Sequence, residues 1–490
     1  MAILHPLSDI LFIKVQKMPI RNYFFKWGMF SLILIGVGIV SAILGIRYFY
    51  GNVDLALMIQ HAHLVQAVDL SYYKGAIFLG VLATFLISMA IMRWKKVGLP
   101  LLIIVLGYFI IPEINWHLNN SQNSFYTQFY TIPKVIFPKK AKNIIWISLE
   151  SAEKLWSYSD VTEGENVIPK LTNLQNEGTV FHGWQFAIGM DPTMPSYVST
   201  DCGIPRNTSV VGRDFRFPQT AASYPLAVCM TDILKKYGYD TTFIMGARLS
   251  DEAADLFTRA HPFTTVMARQ DFLNQKLATL NQAITGTKYH TPDAILLDYA
   301  KNKISDLAKK DKPFFISIIT ANTHGPDFSY IEPDCERKYN DVRDSMKCMD
   351  QKVVEFVRWI QAQPFYKDTV IFLIGDHPTW RLALKHMKWL DFKKVKAHDP
   401  AETYNVVLDG GTNEAKVIYK PFTQIDWAPT MLESAGFQLS PRRLGLGVSL
   451  WSDAPTLVEK FGSVKNFSEE LKKSEPTFND FFYGKNNADR

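Results

Sequence analysis

Residues 27–46 run for 20 positions without a charged side chain. At 1.5 Å rise per residue, a helix of that length matches the roughly 30 Å hydrocarbon core of a bilayer. A second uncharged run covers 75–92 and a third, shorter one 97–112. A cleaved leader has one such run, so three in succession predict three transmembrane helices. Basic residues orient them. Lys14, Lys17, Arg21 and Lys26 precede the first run, and Arg93, Lys95 and Lys96 separate the second from the third. The loop 51–73 carries Asp54 and Asp69 with no Lys or Arg. The positive-inside rule then puts the N-terminus in the cytoplasm, and three crossings put everything after 112 on the outer side.

Residues 113–142 read as an interfacial connector. Trp116, Phe125, Tyr126, Phe129 and Tyr130 are followed by Pro138, Lys139, Lys140 and Lys142. Aromatic rings and lysines suit the headgroup layer, which predicts a helix lying on the membrane surface. The formal charge of +6 is spread along the chain with no concentrated basic stripe. That argues against nucleic acid as a partner and fits contact with anionic lipid. All four cysteines (Cys202, Cys229, Cys335, Cys348) follow the apolar runs, as expected in an oxidising compartment. Of the three possible pairings, the two short loops favour Cys202–Cys229 and Cys335–Cys348; free buried thiols are the alternative.

From Asn143 onward the pattern alternates. Apolar runs at 143–149, 239–245, 313–320, 368–374 and 415–419 read as strands. Segments 167–177, 224–237, 293–310, 337–361 and 423–435 read as helices. Short continuous apolar strands separated by helices predict an α/β fold, a mainly parallel sheet sandwiched by helices. The expected division is a membrane domain over 1–112, the connector 113–142, a catalytic domain over 143–455 and a polar, aromatic C-terminal tail over 456–490.

In open α/β sheets chemistry gathers just beyond the carboxyl ends of strands. Glu150 follows the strand at 143–149, and Asp376 and His377 follow the strand at 368–374. Two carboxylates and an imidazole form a mixed oxygen and nitrogen set suited to Zn²⁺ or Mn²⁺, with Mg²⁺ a further option. His324, in Asn322-Thr-His-Gly-Pro326, follows the strand at 313–320 and is expected at the same rim. Thr193 sits in Gly189-Met-Asp-Pro-Thr-Met-Pro-Ser-Tyr197. A hydroxyl at a helix start can be held near a metal, with backbone N–H groups facing an incoming phosphate. Arg248 and Arg381 read as surface arginines rather than anion contacts, and His386 and His398 as ordinary histidines. His61 and His63 fall in the loop between the first two runs and read as interfacial.

These residues resemble the alkaline phosphatase/sulfatase superfamily, and within it the membrane-bound transferases. The resemblance is carried by Ile147-Ser-Leu-Glu-Ser151, Thr193 with Thr200-Asp-Cys-Gly-Ile-Pro205 downstream, Thr323-His-Gly-Pro326 and Gly375-Asp-His377. It extends through Asp426-Trp-Ala-Pro-Thr-Met-Leu432 and Leu444-Gly-Leu-Gly-Val-Ser-Leu450. The spacing from Thr193 to Pro205 is similar to that of phosphoglycerol transferases of the periplasmic-glucan type. Lipoteichoic acid synthases differ in carrying His before the glycine that corresponds to Gly246, where this chain has Met245. Sulfatases carry Cys or Ser at the nucleophile and Arg four residues on, where this chain has Thr193 and Tyr197.

The resemblance implies a multi-pass protein of the bacterial inner membrane with its catalytic domain in the periplasm. It implies one divalent ion on Glu150, Thr193, Asp376 and His377, with Thr193 as nucleophile and His324 binding phosphate or protonating the leaving oxygen. The implied reaction moves phosphoglycerol from phosphatidylglycerol, or another phospholipid donor, to a glucan or envelope glycan through a phospho-threonine. Competing readings are a phosphoethanolamine transferase acting on lipid A, a membrane-tethered phosphodiesterase, and a non-catalytic scaffold on a degenerate fold.

Overall fold

The computed structural model describes residues 122–206, 223–278, 290–324, 329–379, 389–398, 402–412 and 414–484, with Met387 and scattered positions between 30 and 120. The chain divides into one unit of residues 1–63 and 67–119 and a second of 64–66 and 120–490. In the first unit the described positions are helical, and the Ser88 hydroxyl donates to the Thr84 carbonyl at 2.7 Å. The three expected membrane spans fall largely outside the described residues. Among the described residues no helix is long and apolar enough to cross a membrane.

The described strands of the second unit are β1 (Lys134–Ile136), β2 (Asn143–Leu149), β3 (Thr179–Trp184), β4 (Asp240–Met245), β5 (Thr265–Met267), β6 (Phe314–Ile319), β7 (Thr369–Gly375), β8 (Asn405–Asp409), β9 (Lys416–Phe422), β10 (Gln438–Ser440), β11 (Arg443–Leu444) and β12 (Gly447–Val448). Eight of them form one sheet in the order β5-β4-β6-β2-β7-β8-β3-β9. All neighbours in it are parallel except β8, which runs antiparallel to both β7 and β3.

Side-chain alternation along the strands makes two cores. On one face Ile144, Trp146, Phe243, Phe315 and Phe372 pack under the helices Thr193–Cys202, Met230–Lys236 and Trp427–Ser434. On the other, Ile145, Ile147, Ile316, Ile371 and Leu373 meet Pro169–Leu174, Asp293–Leu307 and Val342–Gln361. The mainly parallel, two-faced sheet expected from the apolar runs is therefore present.

Two helices start later than the sequence suggests. The expected helix at 224–237 begins at Met230: Tyr224 has φ +56° and precedes Pro225, and the Asp232 carboxylate closes the first turn on the Cys229 N–H at 2.9 Å. The helix expected from 337 begins at Val342, where the Asp341 side chain accepts the Arg343 N–H. Strands β3, β5 and β8 were not expected. β5 has three residues, and β3 carries His182 and Gly183 in place of an apolar run.

The described connector aromatics pack inside the protein. Phe125, Tyr126 and Phe129, on the short helix Phe125–Phe129, are buried. Tyr126 meets the rings of Phe478, Phe481 and Phe482, Phe125 meets Phe461, and half-buried Tyr130 meets Phe481 and Phe482. Tyr130 Oη also accepts the Val228 N–H at 2.8 Å. The partner is the helix Val464–Tyr483, inside the segment expected as a tail. Phe467, Leu471, Phe478 and Phe482 share one face of that helix, and a face of this kind needs an apolar cover. Trp116 lies outside the described residues.

Both favoured disulfides are present and no described cysteine is free. Cys202–Cys229 joins the end of the Thr193–Cys202 helix to the start of Met230–Lys236. Cys335–Cys348 ties the chain after His324 to the long helix Val342–Gln361.

Candidate active site

The sheet order brings together residues that are remote in sequence. β2 lies between β6 and β7, with Leu149 opposite Gly375 and Ser148 opposite Ile319. The residues that follow these strands, Glu150, Asp376 and the Thr320–His324 stretch, therefore emerge side by side at one rim. Gly375 must be glycine: a Cβ there would lie 1.9 Å from the Ala152 carbonyl oxygen. That close approach sets Asp376 against the backbone after β2.

Glu150, Asp376 and His377 are all buried, and one ligand atom from each lies within 4.8 Å of the others. Asp376 Oδ1 accepts the N–H groups of Ser151 at 2.8 Å and His377 at 2.7 Å. Ser151 reaches this position with φ +53° and also donates its hydroxyl to Glu150 Oε1 at 2.7 Å. The Glu150 N–H donates to Thr320 Oγ1, and the Glu150 carbonyl accepts from Thr323 Oγ1. The Glu150 backbone is thus held by the stretch after β6 as well as by β2.

The unpaired atoms are the informative ones. His377 Nδ1 lies 3.0 Å from the Pro378 carbonyl, which can only accept, so Nδ1 carries a proton. Its Nε2 then points at Glu150 Oε1 and Asp376 Oδ2, each 3.5 Å away and beyond good hydrogen-bond length. Asp376 Oδ2 and His377 Nε2 are both buried without a hydrogen-bond partner. Burial and the adjacent Glu150 carboxylate push Asp376 up to about 8. Burial opposes the charged form of His377, but Asp376 and Glu150 outweigh it and raise the imidazole to about 9. Burial also opposes ionisation of Glu150, yet His324, His377 and the hydroxyls of Ser151 and Thr193 hold it low. Surplus buried negative charge converging on a point lined by O, O and N atoms fits a divalent cation.

Thr193 opens the Thr193–Cys202 helix, and its Oγ1 donates to Glu150 Oε2 at 3.0 Å. The helix is anchored in the sheet core by Tyr197. Its ring stacks on Trp146 with centroids 4.5 Å apart, and its hydroxyl meets Ser317 Oγ at 2.8 Å. Tyr197 accordingly lies under the sheet-facing side of the helix and is not an anion contact. The expected row of N–H groups for phosphate is largely missing. Met194 N–H is taken by Glu252 at 2.8 Å, Pro195 has none, and Ser196 N–H bonds Pro192 O. Of the first four, the Thr193 N–H is the one left to face a ligand.

Sequence reasoning missed several supporting residues. Gln424 is buried beside the rim; its amide donates to Ser196 Oγ at 2.7 Å and to the Asp376 carbonyl at 2.7 Å. Its oxygen accepts the indole N–H groups of Trp184 and Trp427. Ser196 Oγ donates to the same Asp376 carbonyl at 2.6 Å. One side chain thereby ties the Thr193–Cys202 helix to the loop that carries Asp376 and His377. Gln424→Leu, which strands two buried indole donors, is expected to destabilise the fold by about 2–4 kcal/mol. Cation affinity should also weaken by roughly tenfold or more. Denaturant unfolding and calorimetric titration with Mn²⁺ measure the two effects.

His324 lies on the same rim, close enough to affect Glu150. Its ring centroid is 6.4 Å from that of His290, a second buried imidazole that the sequence did not single out. Burial, with the neighbouring His324 imidazole, presses His290 down to about 3, which keeps it neutral. Arg248 is mostly exposed and pairs with Asp251, and His398 pairs with Asp160 under Tyr158. Both are the surface groups expected. Arg381, His386, His61 and His63 fall outside the described residues.

A sulfatase family model matches residues 142–437. Phosphoglycerol transferase I of Escherichia coli O6:K15:H31 (strain 536 / UPEC) is 27% identical over 351 residues, covering 69% of this chain and 43% of that protein. Phosphoglycerol transferase I of Salmonella arizonae is 28% identical over 348 residues, covering 69% and 42%. The chain spans less than half the length of these curated relatives. Among solved structures, the lipoteichoic acid synthase LtaP from Listeria monocytogenes superposes with a TM-score of 0.50 at 17% identity, over 69% of this chain and 80% of that one. An alkaline phosphatase superfamily protein from Vibrio parahaemolyticus gives 0.51 at 18% identity, over 69% and 78%. These two likenesses establish the fold.

Proposed function

This chain belongs to the sulfatase family, and we propose that it is a metal-dependent phosphotransferase. In this reading it moves phosphoglycerol from phosphatidylglycerol to a glucan or similar envelope glycan, with Thr193 as nucleophile. One observation carries the reading: Thr193 Oγ1 sits 3.0 Å from Glu150, beside two buried atoms, Asp376 Oδ2 and His377 Nε2, that have no hydrogen-bond partner. Glu150, Asp376 and His377, joined by Thr193, would hold one divalent ion. The relatives named phosphoglycerol transferase I support the choice of group.

A divalent cation at this point lowers the pKa of a hydroxyl and polarises a phosphoryl oxygen. The residues of the chain supply the rest. The Thr193 helix, locked to the sheet by Tyr197 and to the Asp376 loop by Gln424 and Ser196, aims Oγ along a fixed line. Oγ, its proton released to solvent, forms the new bond to phosphorus as the diacylglycerol oxygen leaves, and His324 gives that oxygen its proton. An acceptor hydroxyl then attacks phosphorus and passes its proton to His324, the bond to Thr193 breaks, and the Thr193 oxygen takes a proton back from solvent. Uncharged runs at 27–46, 75–92 and 97–112 would anchor the site beside its lipid donor on the periplasmic side.

The test uses the full chain in liposomes of phosphatidylglycerol and phosphatidylethanolamine, with a soluble glucan and lipid A present. Mass spectrometry of lipid and glycan products should find glycerophosphate on the glucan. Ethanolamine phosphate on lipid A would replace the proposed donor and acceptor. Free glycerophosphate alone would make the protein a phosphodiesterase.

A further inference from the structure

The loop after β4 contains two consecutive non-glycine residues with left-handed backbone, Glu252 at φ 50°, ψ 26° and Ala253 at φ 63°, ψ 30°. L side chains rarely adopt that conformation once, and strained positions of this kind cluster where a site needs a group held in place. The loop is braced around them. Asp251 accepts from Arg248 N and Nε, and Asp255 N–H donates to the Leu249 carbonyl at 2.7 Å.

The strained turn brings the Glu252 carboxylate to the start of the Thr193–Cys202 helix, where Oε2 accepts the Met194 N–H at 2.8 Å. The helix has no cap of its own. The residue at its N-cap position, Pro192, has no side-chain acceptor, and Pro195 offers no N–H. The Glu252 carboxylate is also close enough to be affected by Arg206, Glu150 and His377. It therefore stands on the nucleophile's side of the helix end.

We propose that Glu252 is a positioning residue for Thr193: from a separate loop it supplies the missing helix cap, and so fixes where Thr193 Oγ sits relative to Glu150. Any carbonyl-type oxygen at that point can accept the Met194 N–H, so the role requires an acceptor and not a charge. The inference rests on Thr193 being the nucleophile, but its structural half can be measured without any turnover.

The experiment compares full-length wild type, Glu252→Ala and Glu252→Gln, each shown to be folded by thermal melting. Hydrogen exchange read by mass spectrometry over residues 189–200 should speed up by about tenfold in Glu252→Ala and stay near wild type in Glu252→Gln. In the liposome assay, Glu252→Ala should lower kcat by about 10- to 100-fold with KM changed less than about threefold, and Glu252→Gln should keep most of kcat. Unchanged exchange in Glu252→Ala would overturn the cap. A Glu252→Gln enzyme as slow as Glu252→Ala would overturn it too, since charge would then matter more than geometry. If the wild type transfers nothing, the proposed activity fails on its own, while the exchange result still decides the cap.

Discussion

Thr193→Ala is expected to reduce transfer by roughly 10⁴-fold or more, the scale on which covalent mechanisms lose rate when the nucleophile is removed. The fold should hardly change. Thr193 Oγ1 makes one described side-chain hydrogen bond, to Glu150 Oε2, whereas the helix is held by Tyr197 in the sheet core, by Ser196 and Gln424 at the Asp376 carbonyl, and by the Cys202–Cys229 bridge at its far end. Melting temperature should stay within a few degrees, and Mn²⁺ should still bind through the three remaining ligands. Thr193→Ser keeps the oxygen and is expected to retain measurable transfer. A rapid acid quench of the wild type with labelled phosphatidylglycerol should trap label on a peptide spanning 189–200, and the alanine variant should trap none. Substantial transfer by Thr193→Ala would remove Thr193 from the chemistry and leave a direct displacement by the acceptor.

The parts of this site that were legible in the sequence share one property. Glu150, Asp376 and His377 each follow an apolar strand directly, and a parallel sheet delivers strand ends to one rim whatever lies between them in the chain. Strand adjacency then did the rest: β2 beside β7 places Leu149 opposite Gly375. The hidden parts depend on partners that no local pattern announces. Gln424 is one polar residue ahead of Asp426-Trp-Ala-Pro429, and its partners come from three distant segments and one neighbour. Glu252 sits in an acidic stretch, Asp251-Glu252, that reads as solvated surface, and only the fold shows one carboxylate turned outward to Arg248 and the other inward to Met194. The aromatic connector shows how composition can mislead. Rings beside lysines suit a headgroup layer, but the apolar face of Val464–Tyr483 competed for the same rings and buried them. The spacing of Phe467, Leu471, Phe478 and Phe482 was the available signal.

Chelation is expected to silence the protein, and Asp376→Asn should show why through two effects of opposite sign. In the wild type, Asp376 Oδ1 is satisfied by two N–H groups, while Oδ2 faces Glu150 and His377 Nε2 without a partner. Asparagine keeps the first oxygen and turns the second position into a neutral donor, which can bond the Glu150 carboxylate. Without metal, Asp376→Asn should therefore be more stable than the wild type near pH 7 by about 1–3 kcal/mol, because the Asp376 carboxyl, pushed up to about 8, folds only at the cost of taking up a proton that the neutral amide does not need. With metal the difference shrinks, and where it is below about 2.7 kcal/mol it reverses. The wild type should gain about 2.7 kcal/mol at a Mn²⁺ concentration 100 times its Kd. The variant, missing an anionic ligand, should gain little at the same concentration. Transfer should fall by at least roughly 10³-fold both in the chelated wild type and in the metal-supplied variant, since the hydroxyl then keeps its high pKa. Thermal melts of both proteins, with and without chelator, separate these effects from simple unfolding. A wild type that melts at the same temperature in chelator and in saturating Mn²⁺ or Zn²⁺ would mean that Glu150, Asp376 and His377 hold protons between them and no ion.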